Sequence, residues 1–155
     1  MINKLIIECS NKNIDLEKIN SLINNIDDWN DFVEICFLNG ILPLMFKVLK
    51  NTAVPQIVLE ELKSENRHIS LHNIAMSCEL IRLNNIFNNL NLSFIPYKGP
   101  LLSALIFNDI TQRQYQDLDI LVKEKDLLTI AVNSYSRGIS KYDVSTLYHT
   151  HNLKL

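Results

Sequence analysis

Glycine is scarce in this chain. There are three in 155 residues, beside four prolines, and each glycine stands where a regular segment should break: Gly40, Gly99 and Gly138. No low-complexity linker and no internal repeat interrupts the sequence. Cysteine is equally sparse. Cys9, Cys36 and Cys78 lie far apart and make no Cys-x-x-Cys or Cys/His ligand cluster. An odd count without a secretory signal argues against a disulfide framework and for reduced thiols. The opening Met1-Ile-Asn-Lys-Leu-Ile-Ile-Glu-Cys9 is too short an apolar stretch for a signal peptide and lacks the small-residue cleavage site. No window approaches the unbroken apolar length of a membrane span. A cytoplasmic protein without a membrane partner is therefore expected. Basic runs are also missing. Fifteen Lys and Arg face seventeen Asp and Glu, for a net charge of −2, so charge gives no sign of a nucleic-acid partner.

What is present is apolar material for a core. Hydrophobic residues make up 47% and charged residues 21%, the balance of a globular chain. The length suits one domain with a real core or two small subdomains.

The first ninety residues read as helices. Residues 15–26 begin at Asp15 and repeat Leu16, Ile19, Leu22, Ile23 and Ile26 at intervals of three and four. Asp27 or Asp28 can cap a following helix that contains Trp29, Phe32, Val33, Cys36 and Phe37. Asn39-Gly40 breaks it, both residues tolerating positive φ. Residues 41–49 restart with Pro43 in the first turn. Pro55 opens another helix to about residue 66, and a long helical pattern runs from Ile69 to Leu90. It carries two apolar stripes, Leu80/Leu83/Phe87/Leu90 and Leu71/Ile74/Cys78/Ile81, which predict packing against a bundle or sheet. Cys36 and Cys78 fall on such patterns and are expected to be small core residues. Asn84, Asn85, Asn88 and Asn89 are expected to be solvated.

The character changes at Asn91. Leu92 to Tyr97 is short, aromatic and β-like, with Pro96 marking an edge or end. Lys98-Gly99-Pro100 turns into a helix whose buried side is expected to be Leu101, Leu102, Leu105 and Ile106. Asn108 to Gln116 is a polar loop and Leu118 to Val122 a strand. Lys123 to Gly138 is a helix with Leu127, Leu128, Ile130, Ala131 and Tyr135 apolar. One or two further strands are expected over 141–145 and 146–155. The expected division is a helical region over 1–90 and an α/β core over 91–155.

The chemistry concentrates in Asp117-Leu118-Asp119. In a strand, residues i and i+2 share a face, roughly 6–7 Å apart. Two carboxylates so placed repel unless a cation joins them, and a divalent metal is the usual one. Lys98-Gly99 supplies a second half: a glycine where a backbone can approach a phosphate, a following helix with free N–H groups and a mobile cation. The two together suggest metal-dependent phosphoryl or nucleotidyl transfer. Simpler readings stand beside this one. An isolated Asp-x-Asp is commonly a solvated strand end, and Lys98 can be a surface lysine beside a turn. Arg113 can bind phosphate or pair with Asp117 and hold the loop.

These residues resemble a known family. Ile95-Pro-Tyr-Lys98-Gly99-Pro-Leu-Leu followed by Arg113-Gln-Tyr-Gln-Asp117-Leu-Asp119-Ile-Leu-Val122 is similar to a bacterial family of poorly characterised nucleotidyltransferases. Asn39-Gly40-Ile-Leu-Pro-Leu is similar to a helix break in that family's N-terminal region. The resemblance implies a polymerase-beta-like nucleotidyltransferase fold, so the expected class is α+β: an N-terminal helical bundle, then a small mixed-sheet core flanked by helices. It implies Mg²⁺-dependent transfer of a nucleoside monophosphate from an NTP to an acceptor, a small molecule or a protein. By position it makes Asp117 and Asp119 the catalytic, metal-binding carboxylates. It places Lys98, Gly99 and Arg113 on the nucleotide.

Two departures go with it. The wider superfamily commonly has Gly-Ser or Gly-Gly in the turn, where this chain has Lys-Gly-Pro. The superfamily also carries a third carboxylate on a later strand, and the chain stops at Leu155 about where that strand is expected, which makes it C-terminally short. Asp143 is the best substitute within the chain; Glu124 and Asp126 are commonplace helix-start acids. A His149/His151 metal pair would need a third ligand, and solvated histidines are the plainer reading. The alternative to an enzyme is an inactive nucleotidyltransferase-like remnant or interaction module.

Overall fold

The computed structural model describes residues 1–136 and 147–149. They form a mostly helical chain with a small sheet, an α+β arrangement. Two compact units are present. The first comprises Met1–Asn73 and Thr111–Tyr115; the second comprises Ile74–Ile110 and the residues from Gln116 onward.

The first unit begins with α1 (Ile2–Cys9), α2 (Leu16–Ile23), α3 (Trp29–Leu38) and α4 (Leu42–Leu49). The starts follow from side-chain caps. Asp15 accepts from the Lys18 backbone N–H at 3.1 Å, and Asp28 from that of Asp31 at 3.0 Å. Each cap satisfies a donor that the first helical turn leaves free, worth about 1 kcal/mol. Of the two aspartates suited to begin α3, Asp28 is the cap. Helix α3 ends as the Asn39-Gly40 pair predicts, with the positive φ confined to Gly40, at +67°. The Ile41 N–H donates to the Cys36 carbonyl and the Gly40 N–H to the Phe37 carbonyl, both at 3.0 Å, the reversal that glycine permits at a helix C-terminus. Pro43 lies in the first turn of α4, where its missing N–H costs nothing.

The core of this unit is one contiguous cluster. Leu5, Ile19, Phe32, Cys36, Leu42, Met45, Leu49 and Leu62 are fully buried within it. Trp29 packs edge-on against Phe32 with ring centroids 5.4 Å apart. Cys9 also belongs to this core. Burial pushes the Cys9 thiol up to about 11, with the Glu8 charge adding to it. Burial likewise pushes Cys36 up to about 12, assisted by Cys9.

Helix α5 spans Gln56–Asn89, 34 residues without a break, and contributes to both units. The sequence reading divided this stretch near residues 66–69. No glycine or proline lies between Gln56 and Asn89, and Ser70 Oγ donates back to the Asn66 carbonyl at 2.7 Å across the expected break. The two stripes of α5 have different fates. Leu83 and Phe87 are buried, as expected. Leu71, Ile74, Cys78 and Ile81 are exposed among the described residues, so Cys78 is not a core residue, unlike Cys36. Asn84, Asn85, Asn88 and Asn89 are exposed.

In the second unit, α5 ends at Asn89; Asn91 takes φ +53°, and the Leu92 N–H donates to the Phe87 carbonyl at 2.9 Å. Asparagine adopts this backbone more readily than other residues that carry a Cβ. Strand β1 (Phe94–Tyr97) follows, then α6 (Gly99–Phe107) and β2 (Asp119–Val122). A single 3-10 turn, Glu124–Asp126, leads into α7 (Leu127–Ser136). Strands β1 and β2 pair antiparallel, Phe94 opposite Val122 and Tyr97 opposite Asp119. Strand β3 (Leu147–His149) pairs parallel with β2 on its other side.

Phe87, Ile120, Val122 and Ile130 form this unit's core, with Leu92, Phe94 and Leu127 packed on it. The Phe87 and Phe94 rings meet edge-on at 4.8 Å. Helix α6 departs from expectation. Its buried residues are Gly99, Pro100 and Ser103, while Leu101, Leu105 and Ile106 are exposed. The expected apolar face of α7 is reduced too: Leu128 is exposed. The Gly138 stop, the strand over 141–145, Asp143 and His151 lie outside the described residues, as does the side chain of His149.

Candidate functional site

The site is built at the end of β1. Register sets it up: Tyr97 is the last residue of β1 and faces Asp119, the first of β2. Lys98 then leaves the strand with φ +63° and ψ −139°, a backbone state that residues with a Cβ adopt at a cost of about 1–3 kcal/mol. Gly99 follows at φ +48° and opens α6. A Cβ on Gly99 would lie 3.6 Å from the Asp117 carbonyl and 3.8 Å from Leu118 Cδ2, which is ordinary contact. The positive φ, not the space, is what calls for glycine there.

This turn explains where the two aspartates fall. Because Tyr97 pairs with Asp119, a continued ladder would pair Asp117 with Gly99, and Gly99 is already helical. The expected strand therefore shortens: β2 begins at Asp119, and Asp117 sits before it in a bend. The strand alternation that put both carboxylates on one face holds for Asp119 alone. Asp117 is exposed, whereas Asp119 is only 8% exposed. The Gly99 contact keeps the Asp117 backbone beside the first turn of α6.

Asp119 is incompletely satisfied. Lys98 Nζ lies 3.9 Å from its Oδ2, an ion pair beyond hydrogen-bond length. Its Oδ1 is buried without a hydrogen-bond partner among the described residues. A buried carboxylate left in this state costs several kcal/mol unless a cation or donors compensate it. The Lys98 ammonium has a second neighbour, the face of Tyr97, 5.1 Å from the ring centroid. That is within the range of a cation–π contact. Tyr97 itself is 49% exposed. The structure thus gathers Lys98, Gly99, Asp117 and Asp119 around one strand-to-helix turn. Hard carboxylate oxygens next to a positive helix end suit a hard divalent cation and a phosphate respectively. Among the described residues, no group of three or more His, Cys, Asp or Glu is gathered for a metal.

Arg113 belongs to the first unit. Its backbone is fixed there by residues that sequence reading did not single out. The buried Asn73 of α5 donates from Nδ2 to the Arg113 carbonyl at 2.8 Å, and the buried Tyr115 hydroxyl donates to the Asn73 carbonyl at 3.2 Å. In the second unit, Ser103 Oγ donates to the Asp109 carbonyl at 2.7 Å and holds the other end of the polar loop. An asparagine on the inner face of an amphipathic helix was the available signal. A buried amide needs partners, and a loop backbone supplies them.

No helix among the described residues is long and apolar enough to cross a membrane. No curated protein and no solved structure matches the chain. A family model described as an uncharacterised nucleotidyltransferase matches residues 25–133, which include the helix break, the Lys98-Gly99 turn, Arg113 and both aspartates, and the chain belongs to that family.

Proposed function

We propose that this protein transfers a nucleoside monophosphate from an NTP to an acceptor hydroxyl of a small molecule or a protein, with Mg²⁺ and with release of pyrophosphate, in the cytoplasm. The observation that carries the reading is the buried, under-compensated carboxylate of Asp119 beside the Lys98-Gly99 turn. Asp119 and Asp117 would hold the metal, whose chemistry would be to offset the charge on the triphosphate and to favour deprotonation of the attacking hydroxyl. Asp119 is the fixed member, anchored in the ladder. Asp117, in the exposed bend, is the second ligand. The first turn of α6 offers backbone N–H groups to a phosphate, and Gly99 lets that phosphate come close. Lys98 neutralises a phosphate oxygen. We further propose that 91–155 is the nucleotidyltransferase-like core that carries this chemistry and 1–90 a helical N-terminal region.

The test is incubation with α-labelled NTPs and Mg²⁺ over candidate small-molecule and protein acceptors. Label transfer that is lost in Asp117→Asn and Asp119→Asn supports an enzyme. NTP binding without transfer supports a nucleotide-binding module derived from one. Neither binding nor transfer refutes both.

A further inference from the structure

Lys98 is the cation that stands beside Asp119. Its ammonium faces Asp119 Oδ2 at 3.9 Å without hydrogen-bonding it, while the face of Tyr97 offers a second resting place at 5.1 Å. The side chain is 48% exposed. The backbone is otherwise poorly suited to a side chain at this position. A charge held loosely between an anion and an aromatic face is built to move.

We infer that Lys98 is an exchangeable counter-ion, which compensates Asp119 in the empty protein and leaves it for a phosphate when the divalent cation arrives with the nucleotide. The inference rests on the metal reading proposed above and adds a direction to it. In the empty protein the ammonium repels an incoming divalent ion. A triphosphate draws the ammonium away, so each ligand favours the other, and the coupling must be reciprocal. Tyr97 is the positioning residue: its ring holds the ammonium near the strand end through the exchange.

The probe is Mn²⁺, with the free ion read by electron paramagnetic resonance, with and without a non-hydrolysable NTP. Wild type, Lys98→Met, Lys98→Gly and Asp119→Asn are compared. Without nucleotide, both Lys98 variants should bind Mn²⁺ about thirty-fold more tightly than wild type, the scale of one unit charge against a divalent ion near 4 Å in water. With nucleotide, wild type should gain Mn²⁺ affinity and the Lys98 variants should gain little. Lys98→Gly suits the local backbone, so it keeps the test alive where Lys98→Met fails to fold. Unchanged or weaker Mn²⁺ binding in the Lys98 variants, with wild-type binding that depends on Asp119, overturns the exchange alone. Absence of Asp119-dependent binding in every variant overturns the metal reading and the exchange with it.

Discussion

Replacing Lys98 by glycine and by alanine separates the strain of the turn from its charge. Both variants lose the ammonium, its ion pair with Asp119 and its contact with Tyr97, so electrostatics cancel between them. What differs is the Cβ. At φ +63° and ψ −139° a Cβ costs about 1–3 kcal/mol, and glycine relieves it. Against this, glycine stabilises the unfolded chain by about 0.4–1 kcal/mol. The glycine variant should therefore be more stable than the alanine variant by about 1 kcal/mol. Relative to wild type, the lost ion pair and ring contact each weigh about 1 kcal/mol or less at this exposure. Lys98→Gly should then lie within about 1 kcal/mol of wild type, and Lys98→Ala below it. Urea unfolding followed by circular dichroism measures the difference, and hydrogen exchange at the β1 and β2 amides localises it. Trp29 fluorescence is not the probe, because that residue belongs to the first unit. Equal stabilities, or alanine above glycine, would show that the turn is not strained and remove the argument that lysine is kept there for its charge.

Four further outcomes follow from the packing. Asn73→Ala should cost about 1–3 kcal/mol, because the Arg113 carbonyl loses its Nδ2 donor while the Tyr115 hydroxyl keeps the Asn73 main-chain carbonyl, and should raise hydrogen exchange over 111–115; unchanged exchange would deny the anchoring role. Phe87→Ala removes the centre of the second core and should cost about 3–5 kcal/mol, read from the urea midpoint at constant slope; a loss under about 1 kcal/mol would contradict its packing. At pH 8, Cys78 should react with a thiol reagent in the native protein and Cys9 and Cys36 should not, since burial raises the latter two to about 11 and about 12. A thiol raised on folding contributes stability that is complete below the ordinary cysteine value and lost as pH climbs through the folded one. An unfolding titration should therefore show stability falling between about pH 9 and pH 12, and Cys36→Ala should flatten that limb.

The legible parts of the fold are those with local causes. Asp15, Asp28 and Gly40 act within one helical turn of themselves, and each stands where its chemistry predicted. The turn at Lys98-Gly99 was legible for the same reason. Three features depended on partners distant in sequence. The second stripe of α5 has the spacing of a packed face, yet periodicity does not say whether another element covers it. Helix α6 buries Gly99, Pro100 and Ser103 instead of its leucines, because small residues allow close approach, which a hydrophobicity pattern does not register. The start of β2 was misplaced by one residue because the register is set by where β1 ends, and β1 ends at the positive φ of Lys98. In the site, the residue types were readable but their unequal burial was not. Asp117 and Asp119 look equivalent in sequence, and only the ladder makes one buried and the other exposed.

The most direct measurement is paramagnetic broadening of backbone amide resonances by substoichiometric Mn²⁺ in the presence of a non-hydrolysable NTP. Broadening centred on Tyr97–Gly99 and Asp117–Asp119 in the wild type, and lost in Asp119→Asn, is the predicted result. Broadening centred elsewhere, or unaffected by Asp119→Asn, would contradict the assignment of this turn as the nucleotide and metal site.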